Sequence, residues 1–115
     1  MTKAQRPSER IIEAVSSWPG VEVGPNARGA LAFTVGRREL GHLHGDNALH
    51  TSFPKRLWAE LREQGRIVEH PVFPGRAGPA ARRIEDEADV LDAIALLRLN
   101  YDRVMASHGA PAAVA

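Results

Sequence analysis

Cysteine is absent from this sequence of 115 residues, and its absence excludes several kinds of chemistry. Without thiols the chain forms no disulfide, thiolate zinc site, iron–sulfur cluster or cysteine nucleophile. Catalysis would therefore depend on other side chains. Histidine, with five copies unevenly placed, is the residue that stands out.

Long apolar runs and a large excess of charge of one sign are also missing. No apolar run approaches the ~20 residues of a membrane span, and the polar start, residues 1–7, is unlike a signal peptide. A cytoplasmic protein without membrane contact is expected. The formal net charge of +1 argues against nucleic acid as a partner. Arg37-Arg38 and Arg82-Arg83 are interpreted as solvated charges of a turn and an edge strand.

Hydrophobic periodicity predicts three helices and up to five short strands. The helices carry apolar residues at helical spacing: residues 8–18 with Ser8 as the first cap, a segment opened by Pro54 and closed by Gly65, and a segment from Asp86 to near Val104. The strand signals are 21–23, 30–35, 39–44, 49–53 and 80–85. Residues 66–79, rich in proline and glycine, are predicted to form an irregular loop.

These elements predict an α+β fold with one domain, in which an antiparallel β-meander of four to five strands packs against three helices. The order of elements is also similar to the small α+β fold of the YjbR type. The domain is expected to span residues 8–106. Flexible segments are expected on either side of it, at residues 1–7 and 107–115.

Two of the histidines must lie on the same face of a strand. His42 and His44 are two residues apart, and side chains of a strand alternate with a period of two. The position of His50 depends on the hairpin register. A two-residue turn pairs His44 with Leu49 and sends His50 to the other face, whereas a three-residue loop pairs His44 with His50 and unites the three imidazoles. The second register also places Leu43 beside Leu49 on the opposite, apolar face.

The remaining histidines differ in context. His70 lies in the irregular loop, whereas His108 follows the last helical stripe and is given no role. Three interpretations of the cluster stay open. His42, His44 and His50 suit a divalent metal ion, the imidazoles suit acid–base chemistry without metal, or they are hydrogen-bonded side chains without a catalytic role.

An ordered set of motifs resembles the fungal luciferase domain and its small bacterial relatives. The set is Arg38-Glu39-Leu40-Gly41-His42-Leu43-His44, then Leu49-His50, Gly65, His70-Pro71, Gly78-Pro79 and a helix that ends near Tyr101. The resemblance extends over roughly residues 35–104. It depends on the order and the gaps of the whole set and not on one motif.

The resemblance implies an oxygenase that acts on a hydroxylated α-pyrone without a bound organic cofactor. It implies that His42, His44, His50 and His70 are the catalytic histidines, and that Arg38 and Glu39 flank the site. A histidine base would remove an enol or phenol proton, and an imidazolium would stabilise the developing peroxide anion.

The predicted site also includes residues that contact the substrate: Arg38, Glu39, Trp58, Phe73 and Tyr101. Trp58 and Tyr101 lie on helical stripes and equally suit the core, whereas Phe73 in the loop suits a pocket wall. A small-molecule substrate is expected, with molecular oxygen as co-substrate and no cofactor. The alternatives are a metal-dependent enzyme with one divalent ion, and a non-catalytic module that binds a small ligand or DNA. The oligomeric state stays open.

Overall fold

Six antiparallel strands and three helices form the described part of the chain, residues 5–108 of a computed structural model. In chain order the elements are α1 (Pro7–Ser16), β1 (Val21–Pro25), β2 (Leu31–Val35), β3 (Arg38–His44), β4 (Ala48–Ser52), α2 (Lys55–Glu63), β5 (Val68–Glu69), β6 (Pro79–Arg83) and α3 (Glu87–His108). The strands pair in the order β1-β2-β3-β4-β6-β5. The predicted α+β class is confirmed, and the sheet has one strand more than the upper prediction.

The additional strand, β5, lies inside the loop predicted to be irregular. Its two residues, Val68 and Glu69, pair with Ala81 and Ala80 of β6. Both residues of β5 are exposed, and so short a segment has no alternation of apolar and polar residues that periodicity could detect. As a consequence β6 is an inner strand and not the predicted edge.

The helical layer covers one face of the sheet. Two residues of the central strands show this contact with α3. A Cβ on Gly41 of β3 would lie next to Leu97, and Thr51 of β4 accepts a hydrogen bond from Asn100. The core between the layers is aliphatic apart from two phenylalanines and one tyrosine. Its members are Ile11, Val15, Phe33, Leu40, Leu43, Leu49, Phe53, Leu61, Ile67, Ala80, Ile84, Val90, Ala93, Leu96, Leu97, Tyr101 and Val104.

Two local predictions are corrected by tertiary contacts. The helix α1 begins at Pro7, so Ser8 is its second residue and not its cap. The backbone N–H of Ser8 instead donates to Asp46 Oδ1 at 2.9 Å, a partner from the β3–β4 turn. Arg82 is not a solvated edge charge, since it forms ion pairs with Asp89 and Asp92 of α3. Hydrophobic periodicity does not reveal such partners, because they belong to other elements of the fold.

The structure describes only part of the two terminal segments that were predicted to be flexible. Residues 1–4 and 109–115, most of the segments expected to be flexible, lie outside the described residues. Within residues 5–108, none of the helices has the length and apolar character needed to cross a bilayer.

Gly41 is a place where α3 packs closely against the sheet, behind the histidines. A Cβ at this position would lie 2.9 Å from Leu97 Cδ2 and 3.1 Å from the backbone oxygen of His50. We expect Gly41→Ala to lower the free energy of unfolding by about 1–3 kcal/mol, because the added methyl group overpacks the interface. Gly24→Ala is the matched control, since nothing lies within 4 Å of its Cβ position. Equal urea midpoints for the two variants would contradict this account.

Candidate functional site

The histidines of the two central strands lie on the face of the sheet opposite the helices. His42 pairs directly with His50, and this pair is flanked across the sheet by Ala32 on β2 and Ala81 on β6. The alanines leave room above the sheet that larger side chains would fill. Both alanines and His50 are buried.

The observed hairpin register differs from both predicted alternatives. His44 pairs with Ala48, and neither with Leu49 nor with His50. The connection is the three residues 45–47, with Gly45 in the left-handed region at φ 57° and the N–H of Asn47 donating to the oxygen of His44 at 3.3 Å. The register still pairs Leu43 with Leu49. Both predicted registers are therefore wrong, but the three imidazoles share one face, as the alternative with a three-residue loop required, because His50 lies opposite His42.

The fourth histidine reaches the cluster from the segment after β5. Ring centroids of His50 and His70 are 4.3 Å apart, and those of His44 and His50 are 4.0 Å apart. His42 lies 5.2 Å from His44 and 5.6 Å from His50, again between ring centroids. Four imidazoles from three chain segments therefore form one contiguous group, which is called the histidine cluster below.

The histidine cluster lines a cavity of about 500 Å³. This volume is within the range of small-molecule sites. The remaining wall comes from the β1–β2 loop, the start of β3 and the segment after His70: Asn26, Ala27, Arg28, Ala30, Glu39, Val72 and Phe73. His50 and His70 are each 9% exposed, so they form the floor of the cavity.

A carboxylate orients His42. Glu39 Oε2 lies 3.0 Å from His42 Nδ1, and Glu39 Oε1 accepts a hydrogen bond from Asn26 Nδ2 at 3.4 Å. An ionised carboxylate only accepts, so Nδ1 of His42 carries a proton in this contact. In the neutral ring Nε2 is then the unprotonated nitrogen, able to accept a proton or bind a metal ion.

His70 is fixed in the opposite tautomer. Its Nδ1 accepts a hydrogen bond from the backbone N–H of Val72 at 3.1 Å. The proton of the neutral ring is therefore on Nε2, which makes His70 a hydrogen-bond donor at that atom. In this cavity the neutral ring of His42 therefore accepts a hydrogen bond at Nε2, whereas the neutral ring of His70 donates one from Nε2.

The electrostatic environment keeps the deepest histidine neutral. Burial lowers the pKa of His50 from 6.5 to about 4, and the neighbouring rings of His44, His70 and His42 add to the effect. Burial also lowers the pKa of His70, with smaller contributions from His42, His44 and Arg28. A protonated imidazole at either position would lose hydration and repel its neighbours.

Acid should consequently destabilise the metal-free protein. The pKa of His50 is lower in the folded chain, about 4, than in the unfolded chain, about 6.5, so the unfolded state binds the proton more tightly. Above pH 6.5 His50 is neutral in both states and has no effect on stability. As the pH falls from 6.5 toward 4, the free energy of unfolding decreases by about 3 kcal/mol at most. Urea unfolding in EDTA between pH 4.5 and 7.5 measures it. His50→Asn should reduce the dependence of the free energy of unfolding on pH. An unchanged dependence in this variant would refute the assignment of the effect to His50.

The predicted substrate contacts separate into two groups. Glu39 and Phe73 line the cavity, and the Phe73 ring centroid is 5.3 Å from that of His70. Arg38, Trp58 and Tyr101 lie outside it. Arg38 is exposed at the start of β3, Trp58 Nε1 donates to the oxygen of Pro79 at 3.0 Å, and the Tyr101 hydroxyl donates to the oxygen of Pro19 at 2.7 Å.

Part of the cavity wall was missed by the sequence interpretation. Asn26 and Arg28 belong to the β1–β2 loop, and their only signal was a turn composition at residues 24–26. Val72 follows His70 and is 61% exposed. These residues line the cavity because of strand pairing and the shape of the loops. Neither feature can be predicted from hydrophobic periodicity.

The three strand histidines are also the candidate ligands of a metal ion. One ligand nitrogen from each of His42, His44 and His50 lies within 4.8 Å of the others. Nitrogens bound to one tetrahedral zinc are about 3.3 Å apart, given Zn–N distances of about 2.0–2.1 Å. Small ring rotations would close the difference. Asp46 does not join them, because its carboxylate caps α1, where the hydrogen bonds to Ser8 lower its pKa.

One of the comparisons with known proteins identifies a family. The model of the luciferase domain family matches residues 37–100, more than half of the 115 residues, and this match includes all four histidines of the cluster. No curated protein and no solved structure matches the chain. On the strength of the family match, the chain belongs to the luciferase domain family.

Proposed function

We propose that this protein is a histidine-based oxygenase for a small enolic or aromatic substrate, of the pyrone or polyketide kind. The observation that carries the proposal is the pair of oppositely fixed tautomers, His42 and His70, in one cavity with the neutral His50. Molecular oxygen is the co-substrate, and no organic cofactor is required. Membership of the luciferase domain family supports the reaction class.

In the proposed reaction His42 is the general base. Its Nε2 takes the proton of the enol or phenol, and Glu39 stabilises the imidazolium that forms. The enolate carbon then gives two electrons to oxygen, which forms a carbon–oxygen bond and a peroxide anion. Nε2–H of His70 donates to the developing anion, and the imidazolium of His42 returns the proton. His44, exposed on β3, completes this side of the cavity wall.

Oxygen uptake with a panel of hydroxylated α-pyrones and catechols tests this proposal. Single alanine substitutions of the four cluster histidines should each lower the uptake rate, whereas His108→Ala is the matched control outside the cluster. Circular dichroism of every variant checks that the fold is retained. Uptake that is unchanged by all four substitutions, in folded variants, would refute the proposal.

A second candidate is a metal-dependent enzyme that uses the same cavity. The specific observation in its favour is the grouping of His42, His44 and His50 within 4.8 Å. In that case the ion would supply Lewis acidity to the substrate oxygen. Elemental analysis of tag-free protein separates the two candidates. One divalent ion per chain, lost in His44→Ala, favours the metal, whereas full activity after EDTA treatment favours the metal-free reaction.

A further inference from the structure

One cation in the cavity wall has no part in the reaction proposed above. Arg28 is the only arginine or lysine among the described residues that line the cavity. No carboxylate of residues 5–108 lies within the 4.0 Å of an ion pair with its guanidinium. Arg28 is exposed, whereas the partly buried Arg66 and Arg82 are paired with carboxylates of α3.

The negative charge in the same wall is already engaged. Glu39 is the only acidic residue of the described lining, and both of its carboxylate oxygens have partners, His42 Nδ1 and Asn26 Nδ2. The wall therefore carries one negative group that already orients His42, and one arginine without an ion-pair partner. Arg28 is the described side chain of this wall with a permanent positive charge for an anionic ligand.

The backbone around Arg28 is held in one shape. Asn26 Oδ1 accepts hydrogen bonds from the N–H groups of Arg28 and Ala30, both at 3.0 Å. The N–H of Gly29 donates to the oxygen of Asn26 at 2.9 Å, and Gly29 adopts φ 83°. Since Asn26 also binds Glu39, the loop that carries Arg28 is tied to the residue that orients His42.

Arg28 also stands between two cavities. A neighbouring cavity of about 560 Å³ shares Arg28, Ala30 and His44 with the wall of the histidine cavity. A ligand in either cavity therefore lies beside the loop that carries Arg28. A planar guanidinium binds a carboxylate or two adjacent enolate oxygens through paired hydrogen bonds, which a lysine cannot reproduce.

From these observations we propose that Arg28 determines substrate specificity by binding an anionic oxygen group of the substrate, a carboxylate or an enolate, beside the histidine cluster. The substrate then belongs to the class of enolic or aromatic acids and not to neutral rings. This inference deepens the proposed function, although the binding role of Arg28 does not require that oxygen be consumed.

Binding of a matched pair of probes tests the inference without turnover. Salicylate and salicylamide differ in charge and little in shape, and their dissociation constants are measured by calorimetry with wild type, Arg28→Gln and Arg28→Lys. We expect Arg28→Gln to weaken salicylate binding about 10- to 100-fold and to change salicylamide binding less than about 2-fold. Arg28→Lys should recover part of the affinity. Arg37→Gln, in the exposed β2–β3 turn, is the matched control.

The outcomes separate this inference from the proposed function. Equal salicylate affinity in wild type and Arg28→Gln overturns the role of Arg28 even where oxygen uptake depends on the histidines. Absence of salicylate binding to the wild type overturns it as well. Conversely, salicylate binding that is charge-selective and depends on Arg28 supports the role of Arg28. This holds even where no tested compound consumes oxygen and the oxygenase proposal fails.

Discussion

Replacing His42 with alanine is expected to lower kcat/KM for oxygen uptake by about 10²- to 10⁴-fold, the usual contribution of a positioned general base. The reason is the contact with Glu39, which holds the proton on Nδ1 at 3.0 Å and leaves Nε2 to accept the proton of the substrate. Steady-state rates at several substrate concentrations measure the effect. It should appear in kcat, because proton transfer belongs to the transition state.

A second substitution distinguishes a base from a residue that only shapes the cavity. Glu39→Gln keeps the size of the side chain and removes the charge that stabilises the imidazolium, so we expect a loss of about 10- to 10³-fold. The double variant His42→Ala/Glu39→Gln should be no slower than His42→Ala alone, because Glu39 acts through His42. Additive losses would contradict this coupling, and His108→Ala serves as the control for an unrelated histidine.

Asn100→Leu should cause the largest loss of stability, about 3 kcal/mol, or about 15 °C in Tm. Asn100 is 5% exposed, and its Nδ2 donates to Thr51 Oγ1 at 2.9 Å and to the backbone oxygens of Leu40 at 3.1 Å and Ser52 at 3.0 Å. Ser52 pairs with Pro79, which has no N–H to offer. Leucine has a similar size, removes all three hydrogen bonds and leaves the partly buried oxygen of Ser52 without this donor.

The control for Asn100 is its exposed partner. Arg103 donates to Asn100 Oδ1 at 2.6 Å, but it lies at the surface. Arg103→Ala should therefore cost less than about 1 kcal/mol. Urea unfolding of both variants provides the comparison. If Asn100→Leu were as stable as Arg103→Ala, the network between α3 and the ends of β3 and β4 would not be important for the fold.

Local patterns predicted the elements well where an element is long and periodic. The α+β class, the three helices and five of the strands, β1 to β4 and β6, follow from apolar spacing and turn residues. The two-residue β5 could not be predicted, because its pairing with β6 holds it in the sheet and its own sequence has no strand pattern. The cap of α1 was also missed, since Asp46 contacts Ser8 from 38 residues away along the chain.

The candidate site was predicted in part. Alternation within β3 placed His42 and His44 together, and the family resemblance added His50 and His70. The exact partners across the hairpin were wrong, because turn composition left the loop length undecided and only the folded turn with Gly45 set the register. Arg28 could not be found at all, since nothing local distinguishes it from a solvated arginine.

The sequence alone determined that cysteine is absent and that four of the five histidines lie within residues 37–100, the part that the luciferase domain model matches. Only the tertiary structure decided which imidazole accepts and which donates. A tautomer is set by the partner of the other ring nitrogen, and those partners, Glu39 for His42 and the N–H of Val72 for His70, have that role only once the strand and the loop are folded. The same holds for the low pKa of His50, which follows from burial among three other rings.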